Sequence, residues 1–140
     1  MKKFTTILLV LLSTNLLFSQ KNYLSASIFG QTPVIGASYE RTIMKENIGI
    51  EFGVGVLSAS LGVKYYPKKI TNTWTPYFGS AHYLYAIPSN AGWKTYIPLG
   101  LTHISKEGNR LSFDIGPNIN WYDNRGNLNA NFTVKFGYIF

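Results

Sequence analysis

Between Asn47 and Leu57 the chain reads NIGIEFGVGVL, with Ile48, Ile50, Phe52, Val54 and Val56 at every second place and Gly49, Glu51, Gly53 and Gly55 between them. Period two is the side-chain period of a β-strand, so the stretch has two unlike faces. Glycine weakens a strand, because it costs the most backbone entropy to order and has no side chain to pack. Three glycines on one face therefore imply a narrow space on that side, and the bulky row must find its partners on the other.

The same pattern recurs along the chain. Strands are expected over Tyr23 to Phe29, Val34 to Arg41, Ile48 to Val56, Ala59 to Tyr66, Tyr77 to Ile87, Thr95 to His103, Leu111 to Tyr122 and Asn131 to Phe140. The connections GQTP, TIMKEN, a tight turn at Leu57-Ser58, PKKITNTWT, PSNAGWK, SKEGNR and DNRGNLN are short enough to join neighbouring antiparallel strands in an up-and-down meander. One face is apolar, as in Ile35, Ala37 and Tyr39, in Ala59, Leu61, Val63 and Tyr65, in Ile97, Leu99 and Leu101, and in Phe113 and Ile115. The other is small or polar, as in Gly36, Ser38 and Glu40, in Ser60, Gly62 and Lys64, and in Ser112, Asp114, Gly116 and Asn118.

A soluble barrel would turn the large apolar face inward and show water a face rich in charge. Here only 14% of the 140 residues are charged, against roughly 25% in a soluble domain. Glycine and serine make a poor solvent face but suit the interior of an eight-stranded barrel, which is just wide enough for side chains to fill. The fold expected is all-β: an eight-stranded antiparallel up-and-down transmembrane β-barrel over residues 21–140, lipid on the apolar face and a cramped lumen on the other. Inward positions are expected to be small except where a few polar groups meet. If the first strand rises from the periplasm, Tyr23, Tyr39, Tyr65, Tyr77, Tyr138 and Phe140 form one aromatic belt. Phe29, Tyr85, Trp93, Tyr96, Trp121 and Phe132 form the other.

Residues 1–20, MKKFTTILLVLLSTNLLFSQ, have the order of a cleaved signal peptide: the Lys2-Lys3 pair, an apolar core, and small Ser19 before Gln20. Ser13, Thr14 and Asn15 break that core short of the roughly 20 apolar residues of a spanning helix. Its removal lowers the formal charge from +7 to +5, which favours anionic lipid; no basic stripe interleaved with aromatics points to nucleic acid. Cysteine is absent, so neither disulfides nor thiolate metal sites are available. His82 and His103 lie on different strands without ligand spacing, and the glycines open no helix that could cradle phosphate.

The mature chain resembles the small eight-stranded outer-membrane β-barrels of Gram-negative bacteria, exemplified by the membrane domain of outer-membrane protein A. The most specific part is the end, NFTVKFGYIF, where Phe132, Val134, Phe136, Tyr138 and Phe140 alternate up to a terminal phenylalanine, with Lys135 standing where the family pattern has glycine. This resembles the C-terminal signal read by the barrel assembly machinery. LFSQ, GASYERTI and YIPLGLTH are similar to barrel proteins of Bacteroidota. The resemblance implies an outer-membrane location, with membrane lipids and the assembly machinery as partners, no nucleic acid and no cofactor.

Inside the barrel, Glu40, Glu51, Lys64, Asp114 and Lys135 are expected to form an ion network with His82 nearby. A turn at Leu57-Ser58 sets Glu51 directly opposite Lys64, and TIMKEN sets Glu40 diagonal to Glu51. Charges in a narrow lumen must pair, since an uncompensated one costs several kcal/mol, so the network is read as structural. His103, Ser105 and Glu107 carry the residue types of a nucleophile, base and orienting acid. The lipid A deacylase barrels also have His-x-Ser, but followed by Asn, where this chain has Lys106. The function expected is that of a monomeric, non-enzymatic barrel in envelope structure or surface contact. The alternatives are a narrow pore or small-ligand conduit, a lipid-modifying enzyme, or a soluble periplasmic ligand carrier.

Overall fold

The computed structural model describes residues 21–29, 35–86, 92–121 and 128–140. The signal peptide, the GQTP segment, Val34, Ile87, Tyr122 and most of PSNAGWK and DNRGNLN lie outside the described residues.

Nine strand segments follow in order: β1 (Asn22–Ile28), β2 (Ile35–Ile43), β3 (Ile48–Gly55), β4 (Ser58–Tyr65), β5 (Thr75–Tyr85), β6 (Gly92–Tyr96), β7 (Leu99–Ile104), β8 (Asn109–Asn120) and β9 (Leu128–Ile139). All pair antiparallel with their neighbours in the chain, except that β6 and β7 do not pair with each other and each instead pairs with both β5 and β8. The ring closes between β1 and β9, where Tyr23 faces Ile139. Segments β6 and β7 are one strand interrupted at Pro98. Both face β5 in a single register, Tyr96 opposite Ala81 and Leu99 opposite Phe78. Both also face β8 in a single register, Tyr96 opposite Asn118 and Leu99 opposite Ile115. Pro98 has no N–H to give the ladder, and the gap is bridged by Gly79 N–H to Pro98 O at 3.0 Å and Ile97 N–H to Pro117 O at 3.0 Å. The sheet is thus a closed eight-stranded antiparallel barrel, the meander expected.

Burial alternates along the strands with the expected phase. Leu24, Ile35, Phe52, Leu61, Leu99, Ile115 and Phe136 stand on the outer wall, each more than half exposed. Ser25, Ser38, Glu51, Lys64, Ser112, Asp114 and Lys135 point inward and are buried.

The belts need correction. Tyr39, Tyr65, Tyr138 and Phe140 are exposed near the end that holds the termini, and Phe29, Trp93, Trp121 and Phe132 near the other. Tyr23, Tyr77, Tyr85 and Tyr96 instead are buried in the lumen. Their parity dictates it: Tyr23 shares a face with Ser25 and Ser27, Tyr77 and Tyr85 with Gly79 and Ala81, and Tyr96 with Pro98 and Gly100. The interior is therefore not uniformly small. Large side chains reach across it and end against glycines. A Cβ on Gly49 would meet Glu40 Oε1 at 2.5 Å and the Tyr66 ring at 3.2 Å; one on Gly100 would meet the Tyr77 ring at 2.7 Å. The glycine face of Asn47 to Leu57 is small because its neighbours fill the space.

Candidate functional site: the charged lumen

The lumen is built in layers from the terminal end upward. The first layer is a plug. Tyr23, Tyr66, Tyr77 and Ile104 pack with Ile70, which the connection between β4 and β5 tucks into the mouth. The Tyr66 and Tyr77 rings lie 5.5 Å apart.

Above the plug is the ion network, which joins more residues than the sequence suggests. Glu40 is its hub. Its carboxylate accepts from Lys64 Nζ at 2.8 Å, from Arg110 Nη1 at 3.0 Å and from the Tyr66 hydroxyl at 2.5 Å. Arg110 is held flat by Nη2 donating to the Tyr66 hydroxyl at 2.7 Å and Nε donating to Thr102 Oγ1 at 3.0 Å. Its guanidinium also stacks 4.3 Å from the Tyr23 ring centre. Glu51 continues the chain, accepting from Lys135 Nζ at 2.6 Å. Lys64 Nζ stands 2.7 Å from the second Glu51 oxygen, an ion contact without hydrogen-bond alignment.

The third layer surrounds Asp114. Its two oxygens accept from the hydroxyls of Tyr77 and Tyr96, at 2.5 Å each. Two neutral O–H donors thus satisfy a buried carboxylate, which charge-assisted hydrogen bonds do well. Above it Asn118 donates to the Tyr83 hydroxyl, in a cluster of Tyr83, Tyr85 and Tyr96. Within this buried network Glu40, Glu51 and Asp114 balance Lys64, Arg110 and Lys135, while Lys94, half-buried on the inward row of β6, lies 4.4 Å over the Tyr85 ring nearer the far mouth.

Of the residues expected inside, Glu40, Glu51, Lys64, Asp114 and Lys135 are all there and buried. His82 is not: it lies on the exposed outer row of β5, between inward Ala81 and Tyr83. The pairings are also exchanged. Glu40 lies directly opposite Glu51, and Glu51 opposite Gly62. The turn between β3 and β4 centres on Val56-Leu57, with Leu57 at φ 59°, one place earlier than expected. Lys64 consequently faces Gly49 and reaches both glutamates diagonally. Because the slip is two residues between partners, every side chain keeps its face.

Arg110 is the functional residue that sequence reasoning missed, because SKEGNR reads as a turn. Strand β8 starts at Asn109, and extending the inward row of Asp114 and Ser112 by one step reaches Arg110. The set His103, Ser105 and Glu107 is dispersed among other contacts. His103 packs 5.3 Å from the Trp74 ring, Ser105 Oγ accepts the Asn109 N–H at 3.1 Å, and Glu107 accepts from the Asn109 amide at 3.5 Å. Among the described residues no cluster of three or more His, Asp or Glu side chains could hold a metal ion. No protein-family profile, curated protein or solved structure matches the chain.

Proposed function

We propose that the chain is an integral outer-membrane β-barrel, exported by its leader, that acts as a monomeric, non-enzymatic element of the envelope in a structural or surface-contact role. The observation that carries this reading is the inverted distribution of side chains. Leucine, isoleucine, valine and phenylalanine cover most of the outer wall, while Glu40, Glu51, Lys64, Arg110, Asp114 and Lys135 are buried inside; Arg41, exposed near the end of β2, and half-buried Lys94 are the strand charges that are not. In water such a continuous apolar surface far exceeds the few hundred Å² that a monomer tolerates. In hydrocarbon it is the expected surface, and a closed ladder leaves no edge unpaired. Exposed Phe132, Phe136 and Tyr138 on β9, and Phe140 just past it, offer the assembly machinery an outward row to read, with Val134 half-buried among them.

A structural role is favoured over conduction by the lumen itself, where Glu40, Glu51, Lys64, Arg110 and Lys135 are ion-paired, Asp114 is held by two hydroxyls, and the terminal mouth is filled by Tyr23, Tyr66, Ile70, Tyr77 and Ile104. The test is fractionation followed by gel mobility with and without boiling in SDS. Recovery with membranes and a faster unboiled band that keeps β-rich circular dichroism are expected. A protein that stays in the soluble periplasmic fraction with no shift would overturn the reading. Sustained conductance in planar bilayers would overturn the non-conducting part alone.

A further inference from the structure

The cations outside the lumen network are unevenly placed. Lys21, Arg41, Lys45, Lys68, Lys69 and Lys106 all stand toward the terminal end, whereas among the described residues the other end has half-buried Lys94 alone. Three of the six share one corner. Lys45 is in the turn between β2 and β3, and Lys68 and Lys69 are in the connection between β4 and β5. Asn47 and Tyr66 lock these two segments together: Tyr66 N–H donates to Asn47 O at 2.8 Å, and the Asn47 amide donates to Tyr66 O at 2.7 Å. Ile70, buried in the mouth, holds the second segment from its other side.

The turn hides its acid and shows its base. Met44, Lys45 and Glu46 have φ of 50°, 58° and 73°, a left-handed run that L residues adopt only at a cost. Glu46 is thereby turned under, 8% exposed and bound to Lys21 Nζ at 2.8 Å, while Lys45 and Met44 stay outside, Met44 65% exposed. Lys68 and Lys69 are exposed too. The exposed acidic side chain described at this end, Glu107, lies across the mouth between β7 and β8. Three ammonium groups thus gather with no exposed carboxylate side chain among them.

The apolar wall begins directly beneath them. Tyr65, Val63 and Ile50 are exposed on it, and Lys68 follows Tyr65 by three residues. Tyrosines at a membrane rim mark the interface, so the lysines stand just beyond it, where their stems follow the apolar edge and their heads meet phosphates. An amphiphile with an anionic head complements both halves, its phosphate against the lysines and its chains against the wall. A soluble polyanion would use the charges and leave the apolar half without a role.

We propose that this corner selects anionic phospholipid in the leaflet at the terminal end, its headgroup held by Lys45, Lys68 and Lys69. The proposal rests on the membrane reading above. The test uses the refolded mature chain in vesicles of equal parts phosphatidylglycerol and phosphatidylcholine with identical acyl chains. Native mass spectrometry of the released barrel reads the lipid retained. One lysine near an anionic surface is worth about fivefold, so an anionic preference of at least about fivefold is expected at low salt. It should vanish at roughly 1 M salt, where the screening length is about 3 Å. Lys45→Gln, Lys68→Gln and Lys69→Gln together abolish the preference, whereas Lys45→Arg, Lys68→Arg and Lys69→Arg together keep it. Lys94→Gln with Lys106→Gln removes charge elsewhere and leaves it unchanged. Equal retention of both lipids by the wild type, an unchanged preference in the triple glutamine variant, or an equal loss in the Lys94 and Lys106 variant would overturn the site while leaving the membrane reading intact. Equal retention together with binding of polyphosphate that needs the three lysines would also overturn it, because the corner would then serve a soluble polyanion. Failure to enter the vesicles at all would instead count against the membrane reading.

Discussion

Glu51→Gln is the sharpest probe of the lumen, because it removes a charge and almost no volume. Glu51 is 1% exposed and holds Lys135 at 2.6 Å and Lys64 at 2.7 Å. Lys64 keeps Glu40 at 2.8 Å, whereas Lys135 loses the carboxylate it holds. The buried network passes from balance to one excess positive charge. Removing one partner of a buried pair costs about 3 to 5 kcal/mol, and the Gln amide can still accept from one ammonium, so the lower end applies. With a urea slope of about 2 kcal/mol per molar, the midpoint falls by about 1.5 M. The assay is reversible urea unfolding in lipid vesicles, followed by tryptophan fluorescence. Glu51→Gln with Lys135→Met restores the balance and is expected within about 1 kcal/mol of the parent, since an apolar replacement of a whole pair is often neutral. A single variant indistinguishable from the parent, or a double variant that costs the sum of the singles, would refute the idea that charge balance holds this interior together.

Two further outcomes test the layers around it. Tyr77→Phe and Tyr96→Phe each take one O–H donor from Asp114, and each is expected to cost about 1.5 to 3 kcal/mol, the range for bonds to charged groups; pairing either with Asp114→Asn recovers part of the loss in thermal unfolding by circular dichroism. Gly116→Ala would drive a Cβ into the Ile97 carbonyl, so the fraction of chains giving the fast unboiled gel band should drop sharply, whereas Ala59→Gly on the outer wall should leave that fraction unchanged.

What the sequence disclosed was the phase of the strands, because alternation fixes faces without reference to partners. Ile50, Leu61, Leu101 and Phe113 could be set outward, and Glu51, Lys64 and Asp114 inward, from period two alone. Register was less legible. The run Gly55-Val56-Leu57-Ser58 allows two adjacent turn centres, and only the backbone at Leu57 decides between them. Strand β5 was illegible for another reason: TPYFGSAHYLY places aromatics on both parities, so Tyr77 and Tyr85 looked like rim residues and His82 like a lumen one. Arg110 was hidden by the polar residues around it, which announce a turn more loudly than the alternation announces a strand.

The network also ties assembly to the order of events. Lys135 and Glu51 are 84 residues apart in sequence, Arg110 and Glu40 are 70 apart, and the seam that closes the ring joins Tyr23 to Ile139. Contacts so remote are slow to form, since a long loop must be closed before they give anything back. Until the seam zips, a half-built sheet would leave Glu40 and Glu51 sharing Lys64 as their one cation, and Arg110 and Lys135 without the carboxylates that face them across the barrel. Such a sheet cannot enter hydrocarbon first and close later, because the charges still missing their partners would have to shed water alone. Closure and insertion must therefore proceed together, and the time limit for keeping the chain from aggregation is set by its last strand.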